Sequence, residues 1–361
     1  MSGRAVTVSG RAKAASGVSL GTALLLAFTG TTAGAAQHAP RTERVERVST
    51  AADGTQGDGA SSAAVTTPNG RYIAFRSSAT NLVPEGISRP GTYSYIRDLT
   101  TGEVTKIEQA LSTPRLSADG RWATYTDWGS RNINVFLSDL STGTRIRVGA
   151  PDGRDTASSP TISEDGRYIA YRWLGHPEFP TRIDLYDRLT GTRETVSAGP
   201  QDSSRDMDRP SISGDGRRVA YQDNGTGDVW VADRATGAQT EADDGTPSTV
   251  VQLSANGRFL AMDSADGSYV RDLRTGRVQH FPGIRVLAVS PDGRRLLTRD
   301  ADANLTLRGL YGGREIPVGH GSATAGSVSA HGRSVVYSTV DADVVPGDTN
   351  GMYDVFQWRS S

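Results

Sequence analysis

At 361 residues with a formal net charge of −1, the chain is long enough for one large domain and too evenly charged to favour nucleic acid or an anionic membrane. It contains no cysteine, so its stability rests on a buried core and on how the chain closes on itself.

The first 35 residues read as a secretory leader. Arg4, Arg11 and Lys13 form a positive start, Val18 to Phe28 is a short apolar run, and Ala33-Gly34-Ala35 is a small-x-small cleavage site. The run is too short for a membrane span, and without a cysteine the chain has no residue for a lipid anchor, so an exported product that is not embedded in a membrane is expected. Taking the three leader cations from 39 leaves 36 against 40 acids in residues 36–361. The pattern Gly17-Val18-Ser19-Leu20-Gly21 matches a hydrolase nucleophile elbow but lies inside this leader.

Beyond the leader, an isolated strand pattern at Glu43 to Ser49 precedes a phrase that recurs seven times. Its first copy is Pro68-Asn69-Gly70-Arg71-Tyr72-Ile73-Ala74-Phe75, and later copies are headed by Gly120, Gly166, Gly216, Gly257, Gly293 and Gly332. Such a period marks one supersecondary unit copied around an axis or along a stack. Each copy opens on an Asp-Gly or Asn-Gly pair (His331-Gly332 in the last), read as a type I′ hairpin with both residues at positive φ. An apolar strand follows, as in Tyr168-Ile169-Ala170-Tyr171. A second turn, Asp-Leu-x-Thr-Gly, closes the unit at Asp98–Gly102, Asp139–Gly143 and Asp272–Gly276, and more loosely at Asp233–Gly237, its Asp capping the turn's own backbone.

Two tight hairpins and four short strands per unit, seven times over, predict an all-β, seven-bladed β-propeller of four-stranded blades. The seventh copy ends at Trp358 without a fourth strand, and Glu46-Arg47-Val48-Ser49 resembles the fourth strand of the third unit, Glu194-Thr195-Val196-Ser197. The N-terminal strand is therefore expected to complete the last blade, making residues 36–361 one closed domain. Alternation of strands places all tight turns on one face and the long loops (78–92, 174–181, 198–208, 50–62 and 339–352) on the other, where function is expected.

The phrase Ser-x-Asp-Gly-Arg followed by Asp-Leu-x-Thr-Gly, best seen at Ser117–Tyr125 with Phe136–Gly143 and at Ser163–Tyr171 with Leu185–Gly191, resembles the TolB-like, WD-repeat-like β-propeller family. Val345 to Gly351 and Asp354-Val355-Phe356 further resemble its secreted actinobacterial members. The resemblance implies the fold and carries no universal catalytic residue. The resemblance covers Glu43 to Trp358; members of the family include a translocation propeller with an additional amino-terminal domain and propellers that gate prolyl-oligopeptidase-type hydrolase domains, and neither extra domain is expected here.

Three clusters stand out as candidate sites. His176 and Glu178, with Trp173 and Phe179 beside them, put a titratable ring and a carboxylate on one long loop. Arg205, Asp206, Asp208 and Arg209 form the densest charged loop, either a site for a polar ligand or a self-paired solvated patch. Asp348, Asn350 and Asp354 have spacing that offers oxygen ligands to calcium, or else builds an Asx-turn into the next strand. The five histidines show no metal-site spacing. Three functional readings follow, of which the first two are a non-enzymatic exported propeller binding a protein, peptide or glycan on its long-loop face, and a propeller lyase or hydrolase acting on polysaccharide. A purely structural spacer in a cell-surface complex is the third.

Overall fold

The structure is a computed structural model describing residues 43–360 except 88, 108–109, 129–131, 150–154, 176–180 and 198–204. Seven antiparallel sheets follow one another along the chain. Six are four-stranded, each in sequence order from an inner strand A to an outer strand D. The inner strands of blades 1 to 6 are Ser61–Thr66, Arg115–Leu116, Thr156–Ile162, Met207–Ile212, Thr249–Leu253 and Arg285–Val289.

The seventh sheet joins the two ends of the chain. Ser334–Thr339 pairs with Asp354–Ser360, which pairs on its other edge with Glu43–Arg47, setting Val45 opposite Trp358. Residues 322–328 complete this blade on the inside through isolated bridges, Ser322 to Ser338 and Val328 to Val335. The expected closure by the N-terminal strand is what the chain does.

The core explains why strand B reads as a continuous apolar run. Buried side chains fall into seven clusters, each lying between two adjacent blades. Ile169 and Tyr171 pack toward blade 2 while Ala170 faces blade 4, all three being 0 % exposed. A strand covered on both faces has no reason to alternate with polar residues. One cluster combines Val48, Val336 and Val355 of the last blade with Ile73, Phe75 and Tyr95 of the first, so the ring closes on a hydrophobic interface.

The Asp-Gly turns depart from the expected type I′ geometry. Only the glycine is left-handed: Gly70, Gly120, Gly166, Gly216, Gly257 and Gly293 have φ between +66° and +74°, whereas the preceding Asp or Asn does not reach positive φ. The reason lies in the Asp side chain, which accepts both from the Ser hydroxyl two residues back (Ser117 Oγ to Asp119 Oδ1, 2.5 Å) and from the amide of the following Arg (Arg121 N, 2.9 Å). A turn held this way needs one left-handed residue, as in hairpins that end on a glycine bulge. Only the variant His331-Gly332 takes positive φ at both positions, +58° and +68°.

Candidate functional site

The inner strands of blades 1 to 5 and the inner segment of blade 7, with Pro291 just beyond the inner strand of blade 6, line a cavity of about 490 Å3 on the propeller axis. Strand A runs from the long-loop face to the tight-turn face, so position along it gives depth. Arg209 lies toward the long-loop mouth, Arg115 at mid-depth, and Glu164 at the tight-turn end. Between them the wall mixes the aliphatic Val65, Leu116, Ile162, Ile212, Val251 and Val328 with the polar Thr66, Thr161, Ser211 and Gln252.

The tight-turn end is laced by backbone hydrogen bonds between successive blades. Ala118 N donates to Glu164 O at 2.7 Å, Glu164 N to Gly214 O at 2.9 Å, Gly214 N to Ala255 O at 2.7 Å, and Ala330 N to Pro68 O at 2.7 Å. Pro68 and Pro291 have no N–H with which to continue the ring. With its backbone tied on both sides, Glu164 presents a carboxyl with no hydrogen bond or ion pair among the described residues, and burial pushes its pKa up.

At the opposite mouth the inner strands bulge. Register shifts occur between Ser62 and Val65, Ser158 and Thr161, and Asp208 and Ser211. Each bulge carries a non-glycine residue in the left-handed region: Ala63 (φ +54°), Ser159 (+52°) and Arg209 (+49°). A residue with a Cβ pays about 1–2 kcal/mol for this conformation, and such strain collects where a side chain must be aimed.

Of the sequence candidates, the charged loop is resolved into two roles. Asp206 and Asp208 are self-paired: Arg172 Nη2 donates to Asp206 Oδ1 at 2.6 Å, with Thr181 Oγ1 and Asn224 Nδ2 completing its shell, and Ser159 Oγ donates to Asp208 Oδ1 at 3.2 Å. Burial works to raise the pKa of Asp206, but the bonds from Arg172, Asn224 and Thr181 outweigh it and hold the carboxyl below its ordinary value. Arg205 also lies in this loop, partly buried and engaged. Arg209, by contrast, is exposed, and its guanidinium has no partner among the described residues. His176 and Glu178 lie outside the described residues. Trp128 is 61 % exposed and Trp173 takes the Arg182 guanidinium 3.6 Å from its ring centroid.

Asp348 and Asp354 do meet, but around a cation supplied by the protein. Arg47 of the N-terminal strand approaches Asp348 Oδ2 at 3.2 Å and Asp354 Oδ2 at 3.1 Å. Gln56 Nε2 donates to both carboxylates, at 2.9 and 2.8 Å, and Ser49 Oγ donates to Asp354 Oδ1 at 2.6 Å. Asn350 turns away, its Nδ2 donating to Gly57 O while its Oδ1 accepts from Met352 N at 2.8 Å, an Asx-turn. A guanidinium thus stands where the spacing leaves room for calcium. A different acidic trio, Asp228, Glu241 and Asp243, has carboxylate oxygens within 4.8 Å of one another at the outer edge of blade 4. Asp243 is already occupied there by Val229 N and Gly245 N.

Arg115 was not singled out by its local sequence, yet a comparison of the copies marks it. The position two before the repeat's Ser or Thr holds Val65, Thr161, Ser211, Gln252, Ala288 and Ser327 in the other blades, and only here a charge.

No protein-family model matches the chain, and no curated protein does. Among solved structures, an oligogalacturonate lyase in complex with manganese aligns at TM-score 0.63 and 13 % identity, over 90 % of this chain and 94 % of that one. The β-propeller domain of the Trilobed protease from Pyrococcus furiosus aligns at TM-score 0.56 and 14 % identity, over 83 % and 93 %. TolB from Acinetobacter baumannii aligns at TM-score 0.47 and 19 % identity, over 74 % and 66 %. At these identities the shared property is the β-propeller fold.

Proposed function

We propose that the protein is an exported, non-enzymatic binding propeller that takes a peptide partner on its long-loop face, at the mouth of the axial cavity. The observation carrying this reading is Arg209, a cation without a partner among the described residues, on strained backbone at the rim of a cavity whose wall mixes aliphatic and polar side chains. A cavity of this size falls within the roughly 300–1,000 Å3 range of ligand sites, where a few polar groups orient a mainly apolar body. The absence of any aromatic ring among the described lining residues favours a peptide over a glycan, because pyranose rings are held by stacking on such rings. The leader pattern in residues 1–35 supports export.

Titration of the protein with a peptide array, and with an array of cell-wall glycans, tests the proposal. Micromolar binding to peptides that weakens in Arg209→Ala supports it. Glycan binding with all peptides silent overturns the choice of partner. Turnover of oligogalacturonate would instead favour the polysaccharide lyase reading, which the lyase among the fold neighbours makes worth assaying. A long-loop face inert in all three assays would leave the structural spacer.

A further inference from the structure

The axial cavity contains a guanidinium without a counterion among the described residues. Arg115, in the inner strand of blade 2, passes blade 1 and donates through Nη1 to Ala325 O on the inner segment of blade 7. Gln252 reaches the same peptide unit from the other side of the ring: its Oε1 accepts from Gly326 N at 3.1 Å and from Val289 N at 3.0 Å. Two N–H groups facing one side-chain oxygen fix the orientation of this amide. Its Nε2 is therefore left without a protein partner among the described residues.

Five N–H donors make up a guanidinium, and Ala325 O takes one. Burial depresses the pKa of Arg115, and no carboxylate among the described residues stands close enough to offset that cost. Glu164, the one acid among the described residues lining the cavity, forms no ion pair with Arg115 or Arg209. Half-buried in the cavity wall, this charge leaves a positive potential inside the cavity that an anion would neutralise. A bracing role alone does not account for the charge, since Gln252 bridges to the same segment with a neutral amide. Gly326 adds to the argument: a Cβ there would lie 3.0 Å from Arg115 Nη1, so the glycine clears the space around the guanidinium.

We propose that Arg115 and Gln252 form a carboxylate site inside the axial cavity, and that the ligand is the free C-terminus of a peptide with aliphatic terminal side chains. The inference rests on the peptide reading above and names the group that is recognised. A carboxylate matches the planar fork of Arg115, where two parallel N–H donors bind both oxygens, and the Gln252 Nε2 adds a further donor. Leu116, Ile162 and Ile212 supply the apolar wall for the last side chains. Arg209 sits at the entrance on the side from which such a tail arrives, and draws an anionic end inward. At the far end Glu164 repels a carboxylate, which confines it to mid-depth.

The test uses tetrapeptides ending in Ala, Val or Leu, each prepared as the free acid and as the C-terminal amide, titrated calorimetrically against the protein. The free acids should bind at least about tenfold more tightly than the amides, the usual scale for one charge-assisted contact. Arg115→Gln should erase this preference while leaving the amide affinity in place, which a collapsed cavity would not do. Arg209→Ala should weaken the free acids severalfold while keeping part of the preference. Equal affinity for acid and amide in the unmodified protein would overturn the carboxylate site and leave peptide binding standing. Silence of both forms would overturn both readings. Binding of digalacturonate that depends on Arg115, with every peptide silent, would keep the carboxylate chemistry and overturn the peptide source.

Discussion

The Asp before each second turn caps that turn, as its position in Asp-Leu-x-Thr-Gly implies, but it also performs a task its local sequence does not announce. Thr100 N donates to Asp98 Oδ1, and Arg71, just after the first turn, places Nε and Nη2 on the two oxygens of the same carboxylate at 2.9 and 2.6 Å. The arrangement repeats in Arg121–Asp139, Arg167–Asp187 and Arg258–Asp272, and in blade 4 Arg217 and Arg218 share Asp233, one on each oxygen. It explains why Arg follows Asp-Gly in copy after copy: the two tight turns of a blade are tied together at their tips. The hydrogen bonds from Arg71 and Arg167 hold Asp98 and Asp187 at about 2, and Asp139, Asp233 and Asp272 also lie below the ordinary carboxylate range. A carboxylate whose folded pKa is depressed stabilises the fold above its unfolded pKa, and loses that contribution as pH falls through the folded value. Melting temperature should therefore hold steady down to about pH 5 and drop between about pH 4 and 2. Because the Arg side chains are a third to a half exposed, water screens each pair. A double-mutant cycle on Arg258→Ala and Asp272→Ala is expected to give a small favourable coupling that fades as salt is added. Asp272→Ala should cost more than Arg258→Ala, since it also strips the cap from Arg274 N.

At the scale of the hairpin, two glycines with nearly the same backbone do different work. Gly216 and Gly237, in the first and second turns of blade 4, have φ of +69° and +72°. A Cβ on Gly237 would meet nothing within 4 Å, whereas on Gly216 it would lie 2.1 Å from Cδ2 of Tyr168 in blade 3. The first-turn glycine is a seat for the ring of the preceding blade, as Gly166 is for Trp122 and Gly293 for Phe259. Gly237→Ala should cost about 1–2 kcal/mol, the left-handed penalty alone. Gly216→Ala should cost about 1–3 kcal/mol more through overpacking. Equal losses in denaturant unfolding would show that the seat contributes nothing. Here the reach of the sequence is visible. Asp-Gly pairs at a regular period disclosed hairpins, blades and the ring, because turn chemistry is local. They misreported the turn type, and they hid both the Tyr168 seat and the Arg115 crossing, because those contacts join residues from different blades. Arg209 was legible as a charge on the expected face. That its guanidinium has no partner among the described residues, while Asp206 and Asp208 have theirs, depends on where Arg172 and Ser159 reach.

For the whole molecule, closure of the ring depends on Arg47. The N-terminal strand must stay zipped to Asp354–Ser360, and its Arg47 is the cation for Asp348 and Asp354, whose side chains are 2 % and 0 % exposed. Burial raises the pKa of Asp354 even with Ser49, Gln56 and Arg47 pulling it back, and Asp348 adds to the rise. Arg47→Ala leaves two buried carboxylates facing each other without a cation, a loss on the order of 3–5 kcal/mol. The pH dependence separates this loss from mere loosening of the strand. An acid whose folded pKa lies above its unfolded value stabilises the fold below the unfolded pKa, and loses that contribution as pH climbs through the folded one. Removing the guanidinium moves Asp354 further in that direction. The melting temperature of Arg47→Ala should therefore rise as pH is lowered from 7.5 to 5, while the unmodified protein changes little over the same interval. Arg47→Ala/Asp354→Asn, with one buried charge fewer, should recover part of the stability at pH 7 and lose the slope. If Arg47→Ala instead melts like the unmodified protein throughout this range, the ion cluster does not hold the ring, and the hydrophobic interface of Val48, Val336 and Val355 with Phe75 and Tyr95 closes it alone.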